Sequence, residues 1–193
     1  MIPRIIVVTG TPGVGKTVCS QLFAREISAR HIDIGGLVRE HDLTLGMDSE
    51  RETSIADIDR LSDLLSVLLE APRQDCVVEG HLAPYVLDAS DIELAYVLRC
   101  DPDQLLSRLM KRGFSESKAI ENVASEILGV CLWEAVNRFG EDQVAEIDTT
   151  DRSPKQVVEE MLNVLNGSSE PVVGGIDWLS RISEQGRLNF FFK

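Results

Sequence analysis

The chain has 193 residues, with 32 acidic side chains against 19 Lys plus Arg and a formal net charge of −13. That length suits one globular domain with small insertions, and 44% apolar residues can supply its core. The acidic balance argues against a protein held on nucleic acid by a broad basic surface. No window approaches the ~18 uncharged apolar residues of a membrane-spanning helix, and MIPRIIVVTG does not read as a secretory signal. Cys19, Cys76, Cys100 and Cys131 are widely spaced without a CxxC pair. They read as reduced, mostly buried thiols of a cytoplasmic protein rather than a zinc site or a disulfide framework.

In chain order, residues 5–9 (IIVVT) form an apolar, β-branched run that predicts a strand covered on both faces. A glycine loop follows, then a helical stretch with Val18, Leu22, Phe23 and Ile27 at helical spacing. Residues 31–34 predict a short second strand. Residues 35–60 are more polar and carry Arg39, Arg51 and Arg60. Ile58, Leu61, Leu64, Leu65 and Leu68 mark an amphipathic helix. Residues 75–79 and 92–99 are the third and fourth strands.

Asp101 with Pro102 predicts a helix start, and Gly113 its end. Ser115 caps the next helix, with Lys118 and Glu121 exposed and Ile120, Val123, Ile127 and Val130 as its apolar face. Residues 144–147 form a fifth strand, and Ser153-Pro154 opens a helix through Leu165. The segment GSSEPVVGG separates a tail whose Trp178, Phe190, Phe191 and Phe192 predict docking. Residues 1–167 read as the main domain and 168–193 as the tail. The alternation gives an α/β protein with a parallel sheet flanked by helices.

Gly10-Thr11-Pro12-Gly13-Val14-Gly15-Lys16-Thr17 matches GxxxxGK[ST] between that strand and that helix. Glycines let the backbone curl around phosphate oxygens, and the helix start adds free amides and its dipole. Lys16 can bridge the β- and γ-phosphates, while the Thr17 hydroxyl can ligate Mg²⁺. The chemistry points to ATP with Mg²⁺. In VVEGH, Glu79 at a strand end is the second candidate Mg²⁺ group, and His81 lies within reach of the phosphates or a water.

Cations near a transferring phosphoryl are the third requirement. Arg112 is the first candidate and Arg108, on the same helical face, the second, while Lys111 reads as a helix-capping residue. Residues 110–120 form a small lid. Arg39 and Arg60 lie where a second phosphate-bearing molecule enters a small-substrate kinase. Arg99 faces the nucleotide or pairs with Asp101. His31 reads as a packed or surface histidine, and His41 has no companion at metal-ligand spacing. Cys19 packs on the first helix, and Trp133 and Trp178 read as core or docking residues.

The ordered segments VTGTPGVGKT, IGGLVRE, ADIDR, VVEGH, VLRCDPDQLLSRLMKRGFSESKAIENVASE and SPKQVVEEMLNVL resemble the adenylate kinase isoenzyme 6 family over residues 4–166. The resemblance implies a P-loop NTPase-type fold with strand order 2-3-1-4-5, a monophosphate-binding insertion and a short lid. It implies ATP:AMP phosphotransfer with ATPase activity, and a role in small ribosomal subunit maturation beside a basic ribosomal protein. The donor-binding residues it implies are Gly13, Gly15, Lys16, Thr17, Val18 and Arg112, with Arg39 on the monophosphate side. Three positions depart from the family pattern. Glu79 replaces a frequent aspartate, Gly36 a frequent acid, and Ser153 or Arg152 a lysine near the adenine. No membrane association is expected, and the chain is expected to be a monomer. Two other readings stay open: an assembly ATPase whose kinase activity is incidental, and a P-loop kinase of another small metabolite.

Overall fold

A computed structural model describes residues 3–48, 53–70 and 74–192. Arg51 lies outside them. Five parallel strands make the central sheet: β1 (Ile5–Thr9), β2 (Arg30–Asp33), β5 (Cys76–Glu79), β6 (Leu94–Arg99) and β7 (Val144–Asp148), in the order β2-β5-β1-β6-β7. Renumbered within the sheet, that is 2-3-1-4-5. The period-two alternation of strand side chains sorts the core into two halves. Ile6, Val8, Val77, Tyr96, Leu98 and Ile147 pack on one face, and Val7, Val78, Ala95, Val97 and Val144 on the other.

Helices close both faces. α1 (Lys16–Glu26), α5 (Pro102–Lys111), α6 (Glu116–Ile127) and α8 (Pro154–Leu165) cover the first, through Phe23, Leu105, Leu109, Val123 and Met161. α3 (Ile58–Leu69), the short α4 (Ala83–Val86) and α7 (Val130–Phe139) cover the second, through Leu61, Leu65, Val86 and Phe139. The start signals act as their chemistry dictates. Asp101 Oδ1 accepts from the amides of Asp103 and Gln104 at 2.9 and 3.0 Å. Ser153 and Gln156 exchange reciprocal cap bonds around Pro154.

The structure differs from the sequence reading in four places. Ile34 opens a helix, α2 (Ile34–Glu40), instead of ending the second strand. The polar insertion holds an antiparallel hairpin, β3 (Thr44–Asp48) with β4 (Thr53–Ala56), whose Leu45, Met47 and Ile55 are exposed. Gly129 adopts a left-handed conformation that ends α6, so Val130 begins α7 rather than completing the preceding apolar face. Trp133 is exposed on α7 instead of buried.

After α8 the tail returns to the body through α9 (Trp178–Glu184) and α10 (Leu188–Phe191). Trp178, Ile182 and Phe191 are buried in the first core half, while Phe190 is exposed. Arg181 pairs with Asp101, and Arg187 with Asp103 at 2.6 Å. All four cysteines are free and buried. Among the described residues, no helix is long and apolar enough to cross a membrane.

Candidate functional site

The carboxyl ends of the strands converge at one edge of the sheet: Asp33 lies opposite Glu79, Val8 opposite Glu79, and Arg99 opposite Asp148. In open α/β sheets this edge receives ligands. Here the chain leaves β1 into the loop of residues 10–17. Two glycines there are dictated by space as well as by conformation. At Gly10 (φ +135°) an added Cβ would sit 2.4 Å from the Leu98 carbonyl oxygen. At Gly13 (φ +96°) it would meet Leu105 and Leu109 side chains at 2.8 and 2.9 Å.

The loop is a preformed concavity. Lys16 Nζ donates to the carbonyls of Gly10 and Thr11 at 2.7 and 3.1 Å. Burial pushes its pKa below the usual lysine value, with Glu79 and Glu126 pulling it back. No side chain caps α1 at Gly15, so its first amides remain available to an anion. A hollow of about 190 Å³ lies against Gly13, Gly15, Lys16, Thr17, Val18 and Arg112. A second, of about 180 Å³, continues past Val18 and Arg112 to Arg108, Arg152 and Pro154.

Thr17 Oγ1 lies 3.4 Å from Glu79 Oε2, so a hydroxyl and a buried carboxylate share one point beside the loop. Burial raises the Glu79 pKa, and Lys16 lowers it again. Two oxygen donors and open space suit Mg²⁺, which keeps several of its waters and takes few protein ligands. No cluster of three or more His, Cys, Asp or Glu side chains able to hold a metal occurs among the described residues.

Across Pro12 a larger cleft of about 740 Å³ opens between the hairpin and the α6–α7 pair. Ile55, His81, Tyr85, Lys118, Asn122 and Glu134 stand among its walls. His81 faces the cleft; the surrounding protein and the charge of Lys16 push its pKa down to about 4. Its imidazole is therefore neutral at physiological pH and able to accept a proton. Tyr85 donates to Glu134 across the same wall.

The structure thus gathers Gly13, Gly15, Lys16, Thr17, Val18 and Arg112 around one hollow, with Glu79 beside it and His81 in the adjoining cleft. Arg39 and Arg60 line none of these three spaces. Arg39 is exposed and pairs with Asp33 at 3.6 Å, and Arg60 lies in the exposed first turn of α3. Arg108 donates to Gln104 and, at 3.4 Å, to the Val14 carbonyl. Arg99 neither faces a ligand space nor pairs with Asp101. It is buried between Glu126, at 2.7 Å, and Glu146, partners 27 and 47 residues away that no local pattern announces. His31 is half-buried and bonds Ser20 at 2.8 Å.

Lys118, which the sequence reading put on the exposed face of its helix, and Asn122, which it gave no role, both line the cleft. With Glu126 they recur every four residues on α6, a polar stripe beside the buried Ala119, Val123 and Ile127, and that stripe was their available signal. At Gly36 a Cβ would lie 2.9 Å from Asp33 Oδ2, the movable end of a side chain, so a larger residue there would require the Asp33 carboxylate to shift.

A family model described as "AAA domain" matches residues 6–129. A protein named "Putative adenylate kinase" from Halobacterium salinarum is 42% identical over 173 residues, spanning 90% of this chain and 96% of its own length. A relative of the same name from Methanothermobacter thermautotrophicus is 40% identical, with 90% and 96% covered. Among solved structures, a shikimate kinase from Bacteroides thetaiotaomicron shares the fold. Its TM-score is 0.58 at 17% identity, with 84% of this chain and 98% of that one covered. The chain belongs to the AAA-domain family of P-loop proteins, within the archaeal-type adenylate-kinase-like group that these relatives represent.

Proposed function

We propose that the protein is an adenylate kinase, catalysing ATP + AMP = 2 ADP, of the isoenzyme 6 type. The observation that carries this reading is the Lys16 loop with the Thr17–Glu79 pair at its side and a separate, larger cleft directly across Pro12. A donor triphosphate in the loop would direct its terminal phosphoryl toward that cleft. The name of these relatives supports adenylate as the substrate.

In this reading an oxygen of the AMP phosphate forms the new bond to the γ-phosphorus as the bond to the β-bridging oxygen breaks. The acceptor is already an adequate nucleophile, so no general base is required. Lys16 exchanges its loop carbonyls for phosphate oxygens, and Arg112 offsets charge where the two hollows meet. Thr17 and Glu79 hold Mg²⁺, which shields the phosphates' negative charge when bound. Residues 35–60, with Arg39 and Arg60, form the monophosphate-side insertion. Both arginines would have to swing inward as it closes, since neither lines the open cleft. Residues 110–120 serve as the lid.

Water can replace AMP at the acceptor side, and neutral His81, which lines the cleft, would take its proton. His81→Ala is expected to depress ATP hydrolysis about ten-fold, less than the usual general-base contribution because so weakly basic an imidazole is a poor proton acceptor, and transfer far less. Equal loss of both would defeat that division.

A cytoplasmic monomer, a basic small-subunit ribosomal protein as partner and a role in subunit maturation follow from the family resemblance. The −13 charge is the physical support for such a partner. The test is a coupled assay of ATP with each nucleoside monophosphate, resolving diphosphate from free phosphate. Rapid AMP-dependent ADP formation supports the kinase. Slow phosphate release stimulated by a ribosomal protein, without AMP dependence, would replace it with the assembly ATPase. Transfer only to a non-nucleotide acceptor would replace it with a small-metabolite kinase.

A further inference from the structure

A buried polar assembly at the carboxyl end of the sheet, formed by Thr11, Arg99, Glu126 and Glu146, uses none of the groups assigned above to the phosphates or the metal. Glu126, near the end of α6, is 1% exposed. Its Oε1 accepts from Arg99 Nε at 2.7 Å and from the Cys100 amide at 3.1 Å, and its own carbonyl accepts from Arg99 Nη2 at 2.9 Å. Its second oxygen, Oε2, accepts from the Thr11 hydroxyl at 2.6 Å, and Thr11 is likewise 1% exposed. One carboxylate therefore joins the end of β6 to the phosphate loop.

We propose that Glu126 is the positioning residue of the phosphate loop, holding it in its nucleotide-ready shape through the Thr11 hydroxyl. Three observations carry this. The bond is short, dry and charge-assisted, which makes it stronger and more directional than an ordinary hydroxyl contact. The carboxylate cannot wander, because Arg99 and the Cys100 amide fix it to the central sheet, and Glu146 holds Arg99 from the other side. The opposite arm of the loop is tied independently: Thr149 Oγ1 lies 2.9 Å from the Val14 carbonyl and 2.8 Å from that of Arg99. Thr11 and Val14 flank Pro12-Gly13, so the curl that would receive phosphate is pinned on both sides.

Order in the nucleotide-free loop means that binding does not have to organise the backbone, and the affinity otherwise spent on ordering is retained. Its consequence for activity rests on the donor-site reading; its consequence for the loop's own order does not. Thr11→Val keeps the shape and removes the hydroxyl, whereas Thr11→Ser restores it. In nucleotide-free protein, the backbone amides of residues 11 and 13–17 should keep order parameters near the rigid value of about 0.85 in the wild type and in Thr11→Ser, and fall below about 0.6 in Thr11→Val. KM for ATP should rise about ten-fold in Thr11→Val with kcat within about three-fold, and Thr11→Ser should recover it. Unchanged loop order in Thr11→Val, or equal damage in Thr11→Ser, would overturn the role of Glu126. A wild type with an ordered loop that nevertheless fails to bind Mg·ATP would overturn the donor reading instead.

Discussion

Lys16→Ala is expected to lower phosphoryl transfer by about a hundred- to a thousand-fold, the range for losing one preorganised charge-stabilising donor. The nucleotide-free protein should melt within a few degrees of the wild type. The two expectations have one origin. Lys16 Nζ is directed by the carbonyls of Gly10 and Thr11 into the hollow beside Thr17 and Arg112, where developing charge on a phosphoryl would lie. Its depressed pKa shows that the fold opposes its charge, so this ammonium contributes little to folding and much to a bound anion. The coupled ADP assay and a thermal melt check both halves. Full activity in the variant would remove the assigned donor site.

The second large effect is on stability. Arg99→Met should cost about 3–5 kcal/mol, the usual penalty when one partner of a buried ionic group is removed, and lower the melting temperature by about 10 °C for a domain of this size. Arg99 is 2% exposed between side chains of Glu126 and Glu146 that are 1% and 2% exposed. Without the guanidinium, two carboxylates would face each other in the core.

The pH dependence has a definite sign. Burial already raises the Glu146 pKa against the pull of Arg99. A carboxyl whose folded pKa lies above its unfolded value binds more protons when folded. Its penalty is absent below the unfolded pKa and complete above the folded one. Removing Arg99 raises the folded pKa further. The deficit of the variant should therefore be greatest at pH 7 to 8 and shrink toward pH 5, read by denaturant titrations at each pH. A deficit independent of pH would show that packing, rather than charge, holds Arg99 in place.

Those two side chains also mark what the sequence could convey. The loop around Lys16 was legible because its chemistry is written in eight consecutive residues between a β-branched run and a helix. The five sheet strands, the Asp101-Pro102 and Ser153-Pro154 helix starts and the strand order were legible for similarly local reasons, or through resemblance. The β3–β4 hairpin was not: its residues are exposed, Gly46 interrupts its register, and neither strand carries an alternating buried face. The partners of Arg99 are distant in sequence, and burial rather than composition makes their pairing obligatory. The exposed Trp133 shows the converse, since size and apolarity favour burial without compelling it.

The path of residues 172–176 has a consequence for how molecules of this protein meet one another. The Glu146 amide, on the outermost strand, donates to the Val172 carbonyl at 2.9 Å, and the Ile176 amide donates to Glu146 Oε2 at 3.3 Å. The end of a sheet is where a foreign strand would add itself and seed aggregates. Here the chain's own return stroke occupies that place along β7, so the segment that seals a buried carboxylate from water also keeps neighbouring copies from zipping onto this edge of the sheet.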